Sequence, residues 1–317
     1  MFAKTISAWI QASRLPSQGY IFCPLLLGQA LWFSLSGRFN LPLAGLTWLF
    51  GLIIQLYIVY ANDLADVAVD RLNVTFTPFS GGSRVLVEGK LSVPDLKTAV
   101  AVTVILNGLI GLCLLFQGRP LAPLLILVSL ALLWLYSFPP VRLSYRGGGE
   151  FLQMTGVGLV LPLFGYYVQA GSPDAFQWRY VAALLPLQLA CAFSTTLPDE
   201  PSDRAGGKKT IAVILGGKRA KAVVIVLHLL ALSLLAVVIL PESSLIVFLS
   251  VIAVSIAAIS GMMLFLSRAV PGSRAMLAFV TCSILATLGL TTSIVIERFV
   301  SARGPMKSCE AFSRVVD

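Results

Sequence analysis

Apolar residues come in long runs separated by short polar stretches. Runs close to 20 residues, the length needed to cross a bilayer, lie at roughly 18–36, 43–61, 98–117, 120–138, 151–170, 179–197, 221–240, 243–266 and 276–296. Backbone groups in lipid must be satisfied within the segment, so each run predicts a helix. Strands of a membrane barrel would alternate apolar and polar residues over about ten positions, and no segment does so. The expected fold is an all-α polytopic membrane protein: about nine transmembrane helices around a central cavity, in a single domain over residues 1–317.

Composition agrees with that pattern. Hydrophobic residues make up 57% of the chain and charged residues only 12%, with a mean hydropathy of +0.90, outside ordinary soluble usage. No cleavage-site pattern precedes the first run, which is therefore expected to be retained. Cys23, Cys113, Cys191, Cys282 and Cys309 have no CxxC spacing and read as packing residues. His228, inside the seventh run, reads as a hydrogen-bonded packing contact.

Basic residues orient the bundle. With the N-terminus in the cytoplasm, the inner connections collect 16 of the 23 Lys and Arg residues, while the outer ones hold only Arg38, Arg119 and Arg179. That asymmetry follows the positive-inside rule and predicts active-site loops on the cytoplasmic face. The C-terminal tail, about 297–317, runs against it with Arg298, Arg303, Lys307 and Arg314. The net charge of +9 suits an anionic membrane surface or a phosphorylated substrate. Nucleic acid is not an expected partner, because the basic residues are divided among short loops.

Against this apolar background two acidic clusters stand out, at the starts of the two long inner connections, about 62–97 and 198–220. The chain has 14 Asp and Glu in all, and five of them are Asp63, Asp66, Asp70, Asp199 and Asp203. On a helix, Asp63, Asp66 and Asp70 fall within an arc of about 60°, with Asn62 beside them; Asp199 and Asp203, four apart, share a face. Carboxylate and amide oxygens suit Mg²⁺, which favours one or two carboxylates plus substrate phosphate and water. Asn62 and the five aspartates are therefore the candidate metal ligands. The two clusters lie four predicted helices apart, which suggests a duplicated four-helix unit.

Each cluster is followed by a Gly-containing basic stretch. Ser80, Gly81 and Arg84 follow the first, and Lys208 and Lys209 the second, with Lys208 the expected phosphate partner and Lys209 facing water. The GxxxxGK[ST] spacing of a P-loop is absent, which argues against ATP binding. A third inner connection carries Pro139 and Pro140, which stop a helix, then Arg142, Tyr145 and Arg146 at the cavity rim, where they would steady a diphosphate or an acidic acceptor.

These motifs, in this order, resemble the UbiA superfamily of intramembrane aromatic prenyltransferases over roughly residues 10–296. Asn62, Asp63, Asp66 and Asp70 match its NDxxDxxxD signature, and Asp199 with Asp203 its DxxxD signature. The stretches at 77–83, 136–150 and 203–216 look most like the 1,4-dihydroxy-2-naphthoate polyprenyltransferase (menaquinone) branch. Ser194, Thr195, Thr196, Leu197 and Pro198 stand where many of those enzymes are Asn-rich. The resemblance implies Mg²⁺-dependent ionisation of a prenyl diphosphate and attack by an aromatic acceptor on the allylic cation. Asp63, Asp66, Asp199, Asp203 and Lys208 would carry the chemistry. The aromatics Phe151, Phe164, Tyr166 and Phe193 would pack or stabilise the cation.

Three alternatives use similar acids. A UbiA-type terpene cyclase would close the cation on its own tail without an acceptor. A phosphatidyl-alcohol transferase would pack its acid pairs into one short signature, whereas Asp63 and Asp199 are 136 positions apart. A cation-coupled transporter would place its carboxylates near mid-bilayer on interrupted helices.

Overall fold

A computed structural model describes residues 2–77, 80–239 and 243–301. Arg303, Lys307 and Arg314 of the basic tail, and Cys309, lie outside them. The chain order is α1 (Phe2–Ser13), α2 (Gly19–Ser36), α3 (Leu41–Leu72), α4 (Val93–Phe116), α5 (Ala122–Ser137), α6 (Leu143–Arg146) and α7 (Gly149–Thr155). A π turn (Gly156–Val160) joins α7 to α8 (Leu161–Ala170). Then come α9 (Trp178–Thr196), α10 (Glu200–Ala205), α11 (Ile211–Leu215), α12 (Gly217–Ile239), α13 (Leu245–Phe265) and α14 (Arg274–Ser301).

Each predicted apolar run falls largely within one of these helices, except 151–170, which is shared by α7, the π turn and α8. Among the described residues, seven segments are long and apolar enough to cross a membrane: Ile6–Ser36, Leu41–Leu72, Val93–Phe116, Gly149–Ala170, Gly217–Val238, Val247–Phe265 and Arg274–Ser301. The runs at 120–138 and 179–197 are the two that fall short. The first forms α5, only 16 residues long; the second forms α9, in which Arg179, Gln188 and the Ser194–Thr196 end dilute the apolar character. Large apolar side chains such as Ile105, Leu127, Val237 and Leu264 point outward. Long apolar helices with apolar outer faces make this an integral, multi-pass membrane protein.

Local sequence explains the helix ends that matter. Asn40 caps α3 by accepting from Leu43 N at 3.0 Å, with Pro42 in the first turn. At 32 residues, α3 is about 48 Å long, longer than the ~30 Å hydrocarbon core. Its first 21 residues, Leu41 to Ala61, are enough to span, and the last three turns carry Asn62 to Asp70 beyond them. On the other side of the connection, Ser92 and Asp95 form a reciprocal capping box at the start of α4.

The bundle is drawn together at one unusually close crossing. A Cβ on Gly28 of α2 would lie 1.9 Å from Pro162 O, and one on Gly165 of α8 would lie 2.1 Å from Leu25 O. Only glycine permits such an approach of two backbones, the small-residue device of membrane helix packing. The four cysteines among the described residues are free. His228 lies buried between α12 and α14, its Nδ1 2.8 Å from Val224 O and its Nε2 3.5 Å from Ser283 Oγ, the packing contact expected. The α14 helix runs on to Ser301, and Arg298, expected in the tail, is buried with its guanidinium 5.1 Å from the Tyr180 ring.

Candidate active site

The end of α3 and the α9–α10 junction meet across a cavity of about 300 Å³. Asn62, Asp66, Asp70, Ser80, Gly81, Asp199, Asp203 and Lys208 line its polar end. Its other end is apolar, walled by Ile54 and Ile58 of α3, Leu132 and Leu133 of α5, and Val157 and Leu161 at the π turn. Four of the five clustered aspartates, Asp66, Asp70, Asp199 and Asp203, therefore face one space although the clusters are far apart in sequence.

Every acid but one has specific partners, and the pattern is not a simple ring of carboxylates. Asp199 accepts from Asn73 Nδ2 at 2.6 Å and from Gly81 N at 3.1 Å, so the loop after the first cluster holds the first acid of the second. Thr75 Oγ1 donates to Pro198 O at 2.9 Å and ties the same loop down again. Asp203 accepts from Thr210 Oγ1 at 3.2 Å. Lys208 Nζ donates to Asp66 Oδ2 at 2.7 Å and lies 3.7 Å from Asp203 Oδ1, joining the two clusters through one ammonium. Asp70 is buried at the cavity wall, where a Cβ on Gly82 would strike its Oδ2 at 2.2 Å.

Asp63 is placed differently from the expectation. Its carboxylate is turned away from the cavity lining into contacts with the Arg14 guanidinium and with the Ser83 backbone and hydroxyl. Asp63 stands at one end of the arc of about 60° and is captured by Arg14, just after α1, and by the 80–84 loop. Arg14 itself does line the cavity.

Arg84, and the Arg142, Tyr145 and Arg146 expected at the rim, are also not in the lining. Arg84 Nη1 donates to Asp70 O at 3.2 Å and Asn73 O at 3.3 Å, and the guanidinium sits 4.2 Å over Phe76. Arg142 donates to Ala65 O at 3.3 Å and stacks 3.5 Å from the Tyr145 ring centroid. Both brace the loops rather than reach into the cavity. Arg146 and Lys209 are exposed. Of the four aromatics, Phe164 and Tyr166 are fully buried in helix packing and Phe151 is half exposed, edge-on to Phe193; among the described residues the cavity aromatics are Tyr20 and Tyr136.

Burial sets the electrostatics outside the spans. Asp203 is pushed up to about 7 by burial, against the pull of Lys208, with Asp199 and Asp66 adding to the rise. Burial also raises Asp199, partly offset by its hydrogen bonds from Gly81 and Asn73. Burial works to lower Lys208, but Asp66 and its other anionic neighbours outweigh it, so the ammonium is held above its ordinary range.

The lining suits a divalent cation. Asp66 Oδ1 is buried and has no hydrogen-bond partner, a cost that a cation would remove. Among the described residues no three acid, His or Cys side chains converge tightly enough to enclose a metal by themselves, and Mg²⁺ does not need them to, since it takes water and substrate phosphate as well.

A polytopic helical bundle with paired aspartate motifs around a cavity of mixed polar and apolar lining has the form of an intramembrane enzyme. Residues 21–293 match the UbiA prenyltransferase family, and the chain belongs to it and is a prenyltransferase. The 1,4-dihydroxy-2-naphthoate octaprenyltransferase of Escherichia coli is 27% identical over 68% of this chain and 70% of its own. Its Bacillus subtilis counterpart is 28% identical over 30% of each chain, so that match spans less than a third of the relative. A UbiA homologue from Archaeoglobus fulgidus, solved with GPP and Mg²⁺, shares the fold with a TM-score of 0.66 at 16% identity, over 93% of this chain and 99% of that one.

Proposed function

We propose that the protein transfers a polyprenyl group from a prenyl diphosphate to 1,4-dihydroxy-2-naphthoate in quinone biosynthesis, with Mg²⁺ as cofactor. The observation that carries the reading is the meeting of Asp66 and Asp203, one from each motif, at one ammonium on the wall of a cavity whose far end is apolar. Such a cavity matches a ligand with a charged head and an isoprenoid tail. The acceptor is inferred from the dihydroxynaphthoate enzymes among the relatives.

Asn62, Asp66, Asp70, Asp199 and Asp203 would hold the cofactor with the substrate diphosphate. Bound there, Mg²⁺ would supply charge neutralisation of the leaving group. Lys208 donates to the diphosphate oxygens on which charge grows as the allylic C–O bond breaks. Ser80 and the Gly81 amide, at the cavity edge, orient the same group. Asp63 holds Arg14 and Ser83, and so fixes the loop that carries Gly81 and Gly82. Arg84, Arg142 and Tyr145 position that loop and the end of α3, and Arg146 contributes inner-face charge. The apolar walls exclude water from the cation, while Tyr136, Gln153 and Thr195 offer polar contacts to an aromatic acceptor.

We further place the loops 62–97 and 198–220 on the cytoplasmic face of about nine spans that include a duplicated four-helix unit. On that count the short α5 and the polar-ended α9 both cross.

The test is an assay of the purified protein with a series of prenyl diphosphates and a panel of aromatic acids, products read by mass spectrometry. Asp66→Ala and Asp199→Ala are expected to abolish turnover while remaining inserted and folded. Full activity of either at saturating Mg²⁺ would sink the two-cluster site, and cyclic hydrocarbon formed without acceptor would make the protein a cyclase.

A further inference from the structure

Lys208 occupies the place a cofactor would claim. Its side chain is buried, 8% exposed, its Nζ is hydrogen-bonded to Asp66 at 2.7 Å and is 3.7 Å from Asp203, and the oxygen of Asp66 it leaves alone has no partner. The backbone around it is pinned. Lys208 N donates to Asp203 O at 2.8 Å, Lys209 N to Ser144 O at 3.1 Å, and Ile211 N to the buried Glu150 carboxylate at 2.7 Å. Movement is thus left to the lysine stem, four flexible carbons ending in three rotatable donors.

We propose that Lys208 is a resident counter-ion that keeps the paired aspartates closed to a bare divalent cation, so that the metal loads together with the diphosphate. The inference rests on the cavity being the diphosphate site. With the cavity empty, one ammonium neutralises carboxylates from both motifs, and a divalent ion arriving alone meets a like charge at its ligands. A diphosphate removes that conflict. It offers the ammonium new anionic acceptors, the side chain swings from Asp66 to phosphate oxygen, and the freed carboxylates turn to the metal. One residue then serves both states, and ionised substrate-free metal sites, which would bind other cations, do not accumulate.

The experiment follows Mn²⁺ binding to the full-length protein in detergent at pH 8 by the electron paramagnetic resonance signal of free Mn²⁺. It is run with and without an unreactive prenyl thiolodiphosphate, for wild type, Lys208→Met and Lys208→Arg. Wild type is expected to bind Mn²⁺ at least about tenfold more tightly with the analogue than without. Lys208→Met is expected to bind Mn²⁺ alone at least about tenfold more tightly than wild type, a step of ~1.4 kcal/mol, and to lose most of the dependence on the analogue. Lys208→Arg, which keeps the charge, should behave like wild type and shows that the site survives substitution.

Equal Mn²⁺ affinity of Lys208→Met and wild type without analogue, with analogue dependence intact, would overturn the counter-ion role and leave the diphosphate site standing. Failure of the analogue to promote Mn²⁺ binding in both wild type and Lys208→Arg would overturn both.

Discussion

Gly82→Ala is the substitution whose consequence the geometry defines most sharply. Gly82 has φ +71°, and a Cβ there would lie 2.2 Å from Asp70 Oδ2 and 2.9 Å from its Cγ. Two costs follow. The left-handed backbone costs an L-residue about 1–2 kcal/mol. The clash then forces either the loop or the Asp70 carboxylate to move, and overpacking of this kind costs about 1–3 kcal/mol.

Gly89 separates the two. It has φ +64°, with no atom within 4 Å of its added Cβ, so Gly89→Ala meets only the first cost. The expected result is a lower melting temperature for both variants. For Gly82→Ala kcat/KM for the prenyl diphosphate should also fall by about 30-fold or more, since each ~1.4 kcal/mol is tenfold, whereas Gly89→Ala should keep its activity. Initial rates over a range of diphosphate at saturating acceptor and Mg²⁺ give the comparison. Wild-type kcat/KM in Gly82→Ala, or equal losses in the two, would refute a role for the Gly82–Asp70 contact.

Two more expectations concern charge and packing. In the metal-free protein Asp203 binds a proton more tightly folded, at about 7, than unfolded. Its protonated form therefore stabilises the fold at low pH, and that contribution is lost as pH rises through 7. Metal needs the ionised carboxylate, so Mn²⁺ affinity with the analogue present should drop about tenfold from pH 8 to pH 6, and a flat profile would count against Asp203 as a ligand. Gly28→Ala should lower the thermal midpoint in detergent, because its Cβ would lie 1.9 Å from Pro162 O, while Gly45→Ala, with nothing within 4 Å, should be neutral or stabilising by up to ~1 kcal/mol. Equal midpoints would refute the close crossing.

Positions of the helices and acids could be read along the chain because both depend on local rules. A run such as 43–61 must be helical to satisfy its backbone in lipid, and acids at 63, 66 and 70 share a face whatever packs against them. The counter-charges depend on residues distant in sequence and were harder to assign. Arg84 stands in a Gly-containing basic stretch just as Lys208 does, yet its guanidinium is held by the carbonyls of Asp70 and Asn73. Asn73, which clamps Asp199, carries no motif beyond being a polar residue beside an acidic cluster, and Glu150, which holds the Lys208 segment, closes the 136–150 stretch without any sign there of its partner.

What the chain alone determined is a helical membrane protein with two acidic clusters of one chemistry, since hydrophobic length and side-chain spacing act over a few turns. Assembly decided which carboxylates reach the cavity and which cation stands between them. Asp63 and Asp66 are one turn apart with the same charge, but one meets Arg14 and Ser83 and the other meets Lys208. That difference comes from helix crossings that bring residues 49 and 142 positions apart into contact, and no local spacing encodes it.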